Sequence, residues 1–179
     1  MKRRIHILGA SGSGTSSIAG NVCEKLGYKH FDTDSYFWMP TENPFTEIRP
    51  HEERLELMQQ DLSSVRDWIL SGSLISWGDP LIELFDLVVF VYVPPEIRME
   101  RLQKREFERY GERVLPGGDR YENSREFLEW ARGYDGDPRV GRSLVKHRAW
   151  LEKLSQPVLD IVNISLDESV ESLVEYIKA

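Results

Sequence analysis

The sequence predicts a three-layer α/β fold, a parallel sheet with helices on both faces, from three observations. Short apolar segments alternate with stretches of helical periodicity along the chain. Residues 87–93 (LVVFVYV) are a continuous β-branched and aromatic run, as a strand covered on both faces requires. The chain has 179 residues, 40% hydrophobic and 30% charged, enough for one domain with a sizeable core.

In chain order, residues 5–8 form a short buried strand. Small residues follow, and residues 16–26 place Ile18, Ala19, Val22 and Leu26 at helical spacing, with Gly27 as the stop. Residues 30–34 end a second strand. Pro40, Pro44 and Pro50 mark an irregular connection. Residues 52–65 carry Leu55, Leu57, Met58 and Leu62 as a helix. Residues 68–70 form a third strand running into Ser71-Gly72-Ser73. A charged helix over about 96–110 follows the strand at 87–93. Residues 111–141 differ, being punctuated by Pro116, Gly117, Gly118, Gly133, Gly136, Pro138 and Gly141, with one helical piece near 124–131. They read as a mobile excursion rather than a second core. Residues 143–154 return to helix, 158–164 to strand and 167–177 to an acidic closing helix. The sequence carries no repeat and no low-complexity tract. In such a fold ligands bind at the carboxyl ends of the strands.

Composition narrows the partners. Lys and Arg total 23 against 30 Asp and Glu, a net charge of −7. That disfavours a nucleic-acid-coating protein but allows a local cationic pocket for a small phosphate. No apolar run approaches the roughly 20 residues of a membrane span. The opening MKRRIHILGAS is too short and too broken by His6 to be a secretory signal. Cys23 is the single cysteine, which excludes an internal disulfide and a cysteine-based metal site. The expectation is a cytoplasmic monomer or homodimer that binds neither nucleic acid nor membrane.

The chemistry centres on Gly9-Ala10-Ser11-Gly12-Ser13-Gly14-Thr15-Ser16, between the first strand and the first helix. Gly9 and Gly14 have the spacing of the phosphate-cradling loop G-x-x-x-x-G-K-S/T. Glycines let backbone N–H groups converge on phosphate oxygens, and the helix N-terminus adds favourable potential. A hydroxyl at the Ser16 position normally holds Mg²⁺. The lysine position carries Thr15. Losing one preorganised transition-state contact costs about 3–4 kcal/mol. Either a cation from elsewhere fills the gap, or turnover is slow or absent. Lys2, Arg3 and Arg4 lie at the wrong end of the first strand to do so. Two other readings of the loop remain. Gly12 and Gly14 begin a dinucleotide-type G-x-G-x-x-G, with Ser17 at its last position and Asp32 and Asp34 about 20 residues on. A tight turn without a ligand is the plainer one.

Asp32 and Asp34, two apart on a strand end, share a face. One would orient Mg²⁺ through water and the other accept a proton from an acceptor hydroxyl; turn chemistry is the alternative. Ser73 and Trp77 fit an acceptor pocket, or a core and capping role. Arg98, Arg101, Arg105 and Arg109 recur at helical steps with Glu96, Glu100, Glu106, Glu108 and Glu112 between them. That is either a solvated, salt-bridged helix, or Arg101 and Arg105 face the phosphates of the transferring group. Arg142 and Lys146 could close over the same phosphates, and Arg49 and Arg54 grip the acceptor. Cys23, Phe127, Trp130 and Trp150 read as packing residues, and His147 as a surface or packing histidine, with a ligand role as its alternative. Asn163-Ile164-Ser165 matches a glycosylation triplet by chance.

Together GASGSGTS, DTD, ILSGS and above all DLVVFVYVPPEIRMERLQKRE resemble the P-loop small-molecule kinases, namely the adenylate, cytidylate, shikimate and gluconate kinases. The likeness runs over nearly the whole chain. It implies a single domain with the three-layer P-loop NTPase fold. A five-stranded parallel sheet would carry a lid insertion over roughly 106–142 and an acceptor-binding region over roughly 35–67. It implies ATP and Mg²⁺, a nucleotide loop at 9–16 with Ser16 on the metal, and Arg101 and Arg105 as lid-entry arginines. Asp32 and Asp34 match the acidic pair used for metal and acceptor hydroxyl. The implied activity is transfer of the γ-phosphate of ATP to a nucleoside monophosphate or small hydroxy compound. Thr15 and Ser71 depart from the pattern, Ser71 standing where adenylate kinases carry an acid. The alternatives are a nucleotide-binding sensor that has lost transfer and, more remotely, an NAD-binding protein.

Overall fold

A computed structural model of the chain describes residues 1–42, 44–136 and 141–179. Pro138, with the rest of 137–140 in the expected lid, and residue 43 of the expected acceptor region lie outside the described residues. Five strands, β1 (Arg4–Gly9), β2 (Lys29–Asp32), β3 (Trp68–Ser71), β4 (Leu87–Tyr92) and β5 (Val158–Val162), form one parallel sheet in the order β2-β3-β1-β4-β5. Ile5 of β1 pairs with Ile69 on one side and Leu87 on the other. The dinucleotide-binding order keeps strands 1 and 2 adjacent. Here β3 separates them, which overturns the NAD-binding alternative.

Both faces of the sheet are apolar because helices cover both. Ile5, Ile7, Leu87, Val89 and Val91 face α1 (Thr15–Leu26) and α7 (Leu166–Lys178) through Ile18, Val22, Leu173 and Ile177. Leu8, Val88 and Phe90 belong to a second cluster with Met58 and Leu62 of α3 (His51–Ser63) and Trp150 and Leu151 of α6 (Leu144–Leu151). The central strands therefore have no polar face, and each large side chain buried contributes about 1.5–3 kcal/mol. Cys23 sits in the first cluster, where burial pushes its thiol up to about 12. Gly27 ends α1 at φ 72, its N–H donating to the Cys23 carbonyl.

The second strand ends two residues sooner than the sequence predicts. Thr33 has helical backbone angles, and a short helix α2 (Asp34–Phe37) starts at once, with the Asp34 N–H donating to Asp32 Oδ1 at 3.0 Å. Asp32 and Asp34 are thus joined by a local turn, not by strand alternation.

The excursion is more organised than expected. After α4 (Pro95–Tyr110) and a 3₁₀ turn (Gly111–Val114), α5 (Tyr121–Arg132) lays Ala131, Phe127, Leu128 and Trp130 against Met99 and Leu102. That is a small apolar cluster of its own. Arg98 is fully buried beneath it, paired with Asp135 and donating to the Ala131 carbonyl at 2.8 Å. It therefore leaves the arginine face of α4. His147, read as a packing or surface residue, is buried inside α6.

Removing the partner of a buried charge is costly. Asp135→Ala is expected to lower the unfolding free energy by about 3 kcal/mol, the low end of the range for such pairs because Asp135 keeps some exposure. A urea denaturation midpoint measures it.

Candidate active site

The loop after β1 is shaped so that its amides stay open. Gly12 and Gly14 take φ of 82° and 87°, backbone that L side chains rarely adopt. A Cβ on Gly12 would lie 2.9 Å from the Arg98 carbonyl, and one on Gly14 would lie 2.6 Å from Asn163 Nδ2. The Ser13 N–H donates to the Ala10 carbonyl at 3.1 Å. The N–H groups of Ser11, Gly12, Gly14, Thr15, Ser16 and Ser17 meet no acceptor among the described residues. Ser13 departs from its expected place at the ligand. It is fully buried, and its carbonyl accepts from Asn163 Nδ2 at 2.8 Å while Ser169 Oγ donates to Asn163 Oδ1 at 3.1 Å. Asn163 thus clasps the loop from the end of β5. The sequence offered only a chance glycosylation triplet there, although a polar residue at the carboxyl end of a strand was the available signal.

Beside the loop, Ser16 Oγ donates to Asp32 Oδ2 at 2.6 Å. Ser71 Oγ lies 3.0 Å from the same oxygen and 2.9 Å from His30 Nε2. Burial lowers the His30 pKa, with the Asp32 charge opposing, so the imidazole is neutral at pH 7. The expected metal pair Ser16 and Asp32 is therefore brought into contact. Among the described residues no three His, Cys, Asp or Glu side chains converge as a self-sufficient metal cage. A hydroxyl with one carboxylate suits a Mg²⁺ whose other ligands are phosphate oxygens and water.

Loop and acidic pair open on a cleft of about 1010 Å³. Gly9, Ala10, Ser11, Gly12, Gly14, Thr15, Ser16, Asp32, Asp34, Arg54, Ser73, Trp77, Arg101, Arg105 and Arg142 all line it, as expected for the site. Arg109 and Arg120 line it as well, with Glu106 as the third carboxylate beside Asp32 and Asp34. The salt-bridged alternative for α4 holds for Lys104 and Glu108, 3.7 Å apart, but not for Arg105 and Arg109, which have no carboxylate within ion-pair distance among the described residues. Arg54, Arg120 and Arg142 share that property. Each stands over a ring instead: Arg54 over Phe37 (4.6 Å) and Trp77 (5.2 Å), Arg105 over Phe127, Arg109 over Phe45, Arg120 over Tyr110 (4.2 Å) and Arg142 over Trp130. An aromatic face holds a guanidinium while leaving its N–H groups free. Phe127 and Trp130 are therefore site walls as well as packing residues.

Two expected arginines behave differently. Arg49 does not reach the cleft; it donates to the Tyr36 carbonyl at 3.0 Å and to Glu53 at 2.7 Å. Arg101 lines the cleft but donates to the Asn163 and Ile164 carbonyls at 3.1 and 3.0 Å. Asp34 faces the opposite set of charges. Enclosure by the cleft and the Asp32 charge push its carboxyl above the usual range, against the pull of Arg142, Arg105 and the Trp38 side chain. Desolvation lowers the pKa of Arg105 and of Arg142, though a guanidinium stays charged at any working pH.

Asn163→Ala removes two buried hydrogen bonds. It is expected to lower stability by about 1–3 kcal/mol, more than Ser169→Ala does, because it removes both of these bonds rather than one; urea melts of the two variants report the difference.

Comparison with known proteins follows the same lines. No family model matches the chain. It is 46% identical over 180 residues to the uncharacterized protein YqaC of Bacillus subtilis (strain 168), covering 100% of this chain and 99% of that protein. It is 30% identical over 114 residues to a cytidylate kinase of Archaeoglobus fulgidus, covering 58% of this chain and 62% of that enzyme. In structure it resembles shikimate kinase from Bacteroides thetaiotaomicron (TM-score 0.56, 18% identity, 100% of both chains). It likewise resembles deoxyadenosine kinase from M. mycoides with bound dATP (TM-score 0.58, 15% identity, 100% of both). Among the described residues no helix is long and apolar enough to cross a membrane. The chain belongs to the family of Bacillus subtilis YqaC and is built on the P-loop kinase fold.

Proposed function

We propose that the protein is a phosphotransferase that moves the γ-phosphate of ATP to a small acceptor, a nucleoside monophosphate or a small hydroxy compound. The reading is carried by the open amides of residues 11, 12 and 14–17 lying against the Ser16–Asp32 pair. The cytidylate kinase relatives and the shikimate and deoxyadenosine kinase neighbours support it.

The amides would hold the phosphates. Ser16 and Asp32 would hold Mg²⁺, which when bound supplies neutralising charge at the phosphate oxygens. Arg105 and Arg142, without an ion-pair partner among the described residues and acting electrostatically on Asp34, would provide the cationic charge that Thr15 lacks. Arg101, fixed on the 163–164 carbonyls, would border the nucleotide. Arg54, Ser73 and Trp77 would bind the acceptor, with Asp34 accepting the proton of its hydroxyl. The segment over 106–142 would exclude water during transfer, which otherwise hydrolyses ATP. Thr15 favours a second reading, a nucleotide-binding sensor without transfer. Calorimetric Mg-ATP affinity, followed by ADP release over nucleoside monophosphates, nucleosides and hydroxy acids, separates the two. Tight binding with no acceptor-stimulated ADP favours the sensor.

Asp34 must be ionised to accept a proton. As pH falls through its raised pKa, acceptor-dependent turnover drops, so the acid limb lies above the ordinary Asp value of about 4. Asp34→Asn is expected to lower turnover on a hydroxyl acceptor about 10²–10⁴-fold while keeping Mg-ATP binding. Full activity of that variant on a nucleoside monophosphate would instead mark a phosphate oxygen as the nucleophile. Thr15→Lys is expected to preserve or raise ATP affinity, and a large loss in the same titration contradicts a phosphate-shaped loop.

A further inference from the structure

At the acceptor end, Ser73 is backed by a buried chain of side chains that the phosphate chemistry does not use. His147 Nε2 lies 3.2 Å from Ser73 Oγ, and the Tyr134 hydroxyl lies 2.6 Å from His147 Nδ1. Tyr134 and Ser73 are only 4% and 5% exposed and His147 is wholly buried. Phe90 stands edge-on to the imidazole and excludes water from that side. The Tyr134 carbonyl also accepts from the Leu144 N–H at 2.9 Å, tying the far end of the chain to the start of α6.

The direction of each hydrogen bond follows. Burial, with Arg142 and His6 nearby, pushes the His147 imidazole down to about 3, so it is neutral and has one donor and one acceptor nitrogen. Burial and the Asp135 charge raise the Tyr134 phenol, which keeps its proton. Among the described residues that proton has one acceptor, His147 Nδ1. The reverse arrangement would bury a phenol O–H with nothing to receive it, an unmade hydrogen bond in a dry interior. Nδ1 therefore accepts and Nε2–H donates to Ser73 Oγ. The Ile75 N–H also approaches Ser73 Oγ, at 3.5 Å. The serine's lone pairs are thus taken up by the protein. Its own O–H finds no acceptor among the described residues, on a wall of the cleft shared with Trp77 and Arg54.

We propose that Tyr134 and His147 are positioning residues that fix Ser73 as a hydrogen-bond donor to the acceptor substrate, which must present a carbonyl, carboxylate or phosphate oxygen at that point. This rests on the reading that the acceptor occupies this end of the cleft. It adds a polarity that residue identity alone does not give, because a serine backed by an acceptor would instead take a hydrogen bond from its ligand. Arg54, which lines the same cleft and has no ion-pair partner among the described residues, suits the same kind of partner, an electron-rich oxygen.

Nitrogen-15 NMR of the histidines in the full chain tests the relay without any acceptor. The His147 signal is expected to be the neutral Nε2–H tautomer at pH 7 and to stay neutral at pH 5. Tyr134→Phe should lose that single tautomer, and Ser73→Ala should keep it. A protonated Nδ1 in the wild type overturns the proposal. The second arm screens shikimate, gluconate, cytidine monophosphate and deoxyadenosine for ADP release and uses the best of the first three; deoxyadenosine presents no carbonyl, carboxylate or phosphate oxygen, so its being the preferred acceptor overturns the proposal. Ser73→Ala and His147→Leu are expected to raise its KM about tenfold, more than they change the Mg-ATP dissociation constant. His147→Gln, which can still accept at one atom and donate from the other, should restore most of the loss. Equal damage by Gln and Leu, or damage to ATP binding instead, reduces the relay to packing and overturns the proposal. If none of the four stimulates ADP release, the phosphotransferase reading suffers, while the tautomer still decides the relay.

Discussion

The site depends on how one peptide loop spends its hydrogen bonds. Between β1 and α1 the chain has to turn while leaving six N–H groups with no acceptor in the described protein. Open amides are unfavourable by themselves, so something else must hold the turn. Two glycines at positive φ supply the backbone geometry. The Asn163 amide holds the Ser13 carbonyl on the opposite side. Because Asn163 ends β5 and is in turn held by Ser169 of α7, the loop's shape is set by the far side of the sheet. A parallel sheet with β1 at its centre makes that possible, since the ends of β3, β4 and β5 all reach the same loop.

Charge is arranged on the same principle. A chain of net charge −7 concentrates arginines in one cleft. Several arginines elsewhere pair with carboxylates, as Arg4 does with Asp86 and Arg113 with Asp119. In the cleft all but Arg101 rest on rings. Carboxylate pairing would have used the N–H groups a ligand needs, whereas an aromatic face takes only the π side of the guanidinium. Opposing charges therefore act on Asp34, the Asp32 carboxylate raising its pKa and Arg105 and Arg142 lowering it. The raised carboxyl pKa follows first from enclosure and then from the Asp32 charge, against the pull of the cations.

Much of the fold was legible in the sequence, because period and composition report burial directly. LVVFVYV is apolar on both strand faces, and Gly27 stops a helix whose apolar stripe ends at Leu26. The loop at 9–16 was legible because glycine spacing encodes backbone geometry. What sequence could not show was direction. The helical period put Arg98 and Arg101 on one face with Arg105, but not that Arg98 would be buried on Asp135 or Arg101 turned to two carbonyls. Arg49 and Arg54 looked alike, and a local Glu53 captured the first. Asn163, Tyr134 and His147 act through contacts with partners 150, 13 and 74 positions away. No local pattern marks such pairs.

The most direct test of the open loop is a backbone amide NMR titration of the full chain with Mg-ATP and, in parallel, with Mg-free ATP and with adenosine. Saturable downfield shifts centred on the amides of residues 11–17, produced by ATP and not by adenosine, are the expected result. Amides there that stay unmoved while shifts gather elsewhere would contradict a polyphosphate-binding loop.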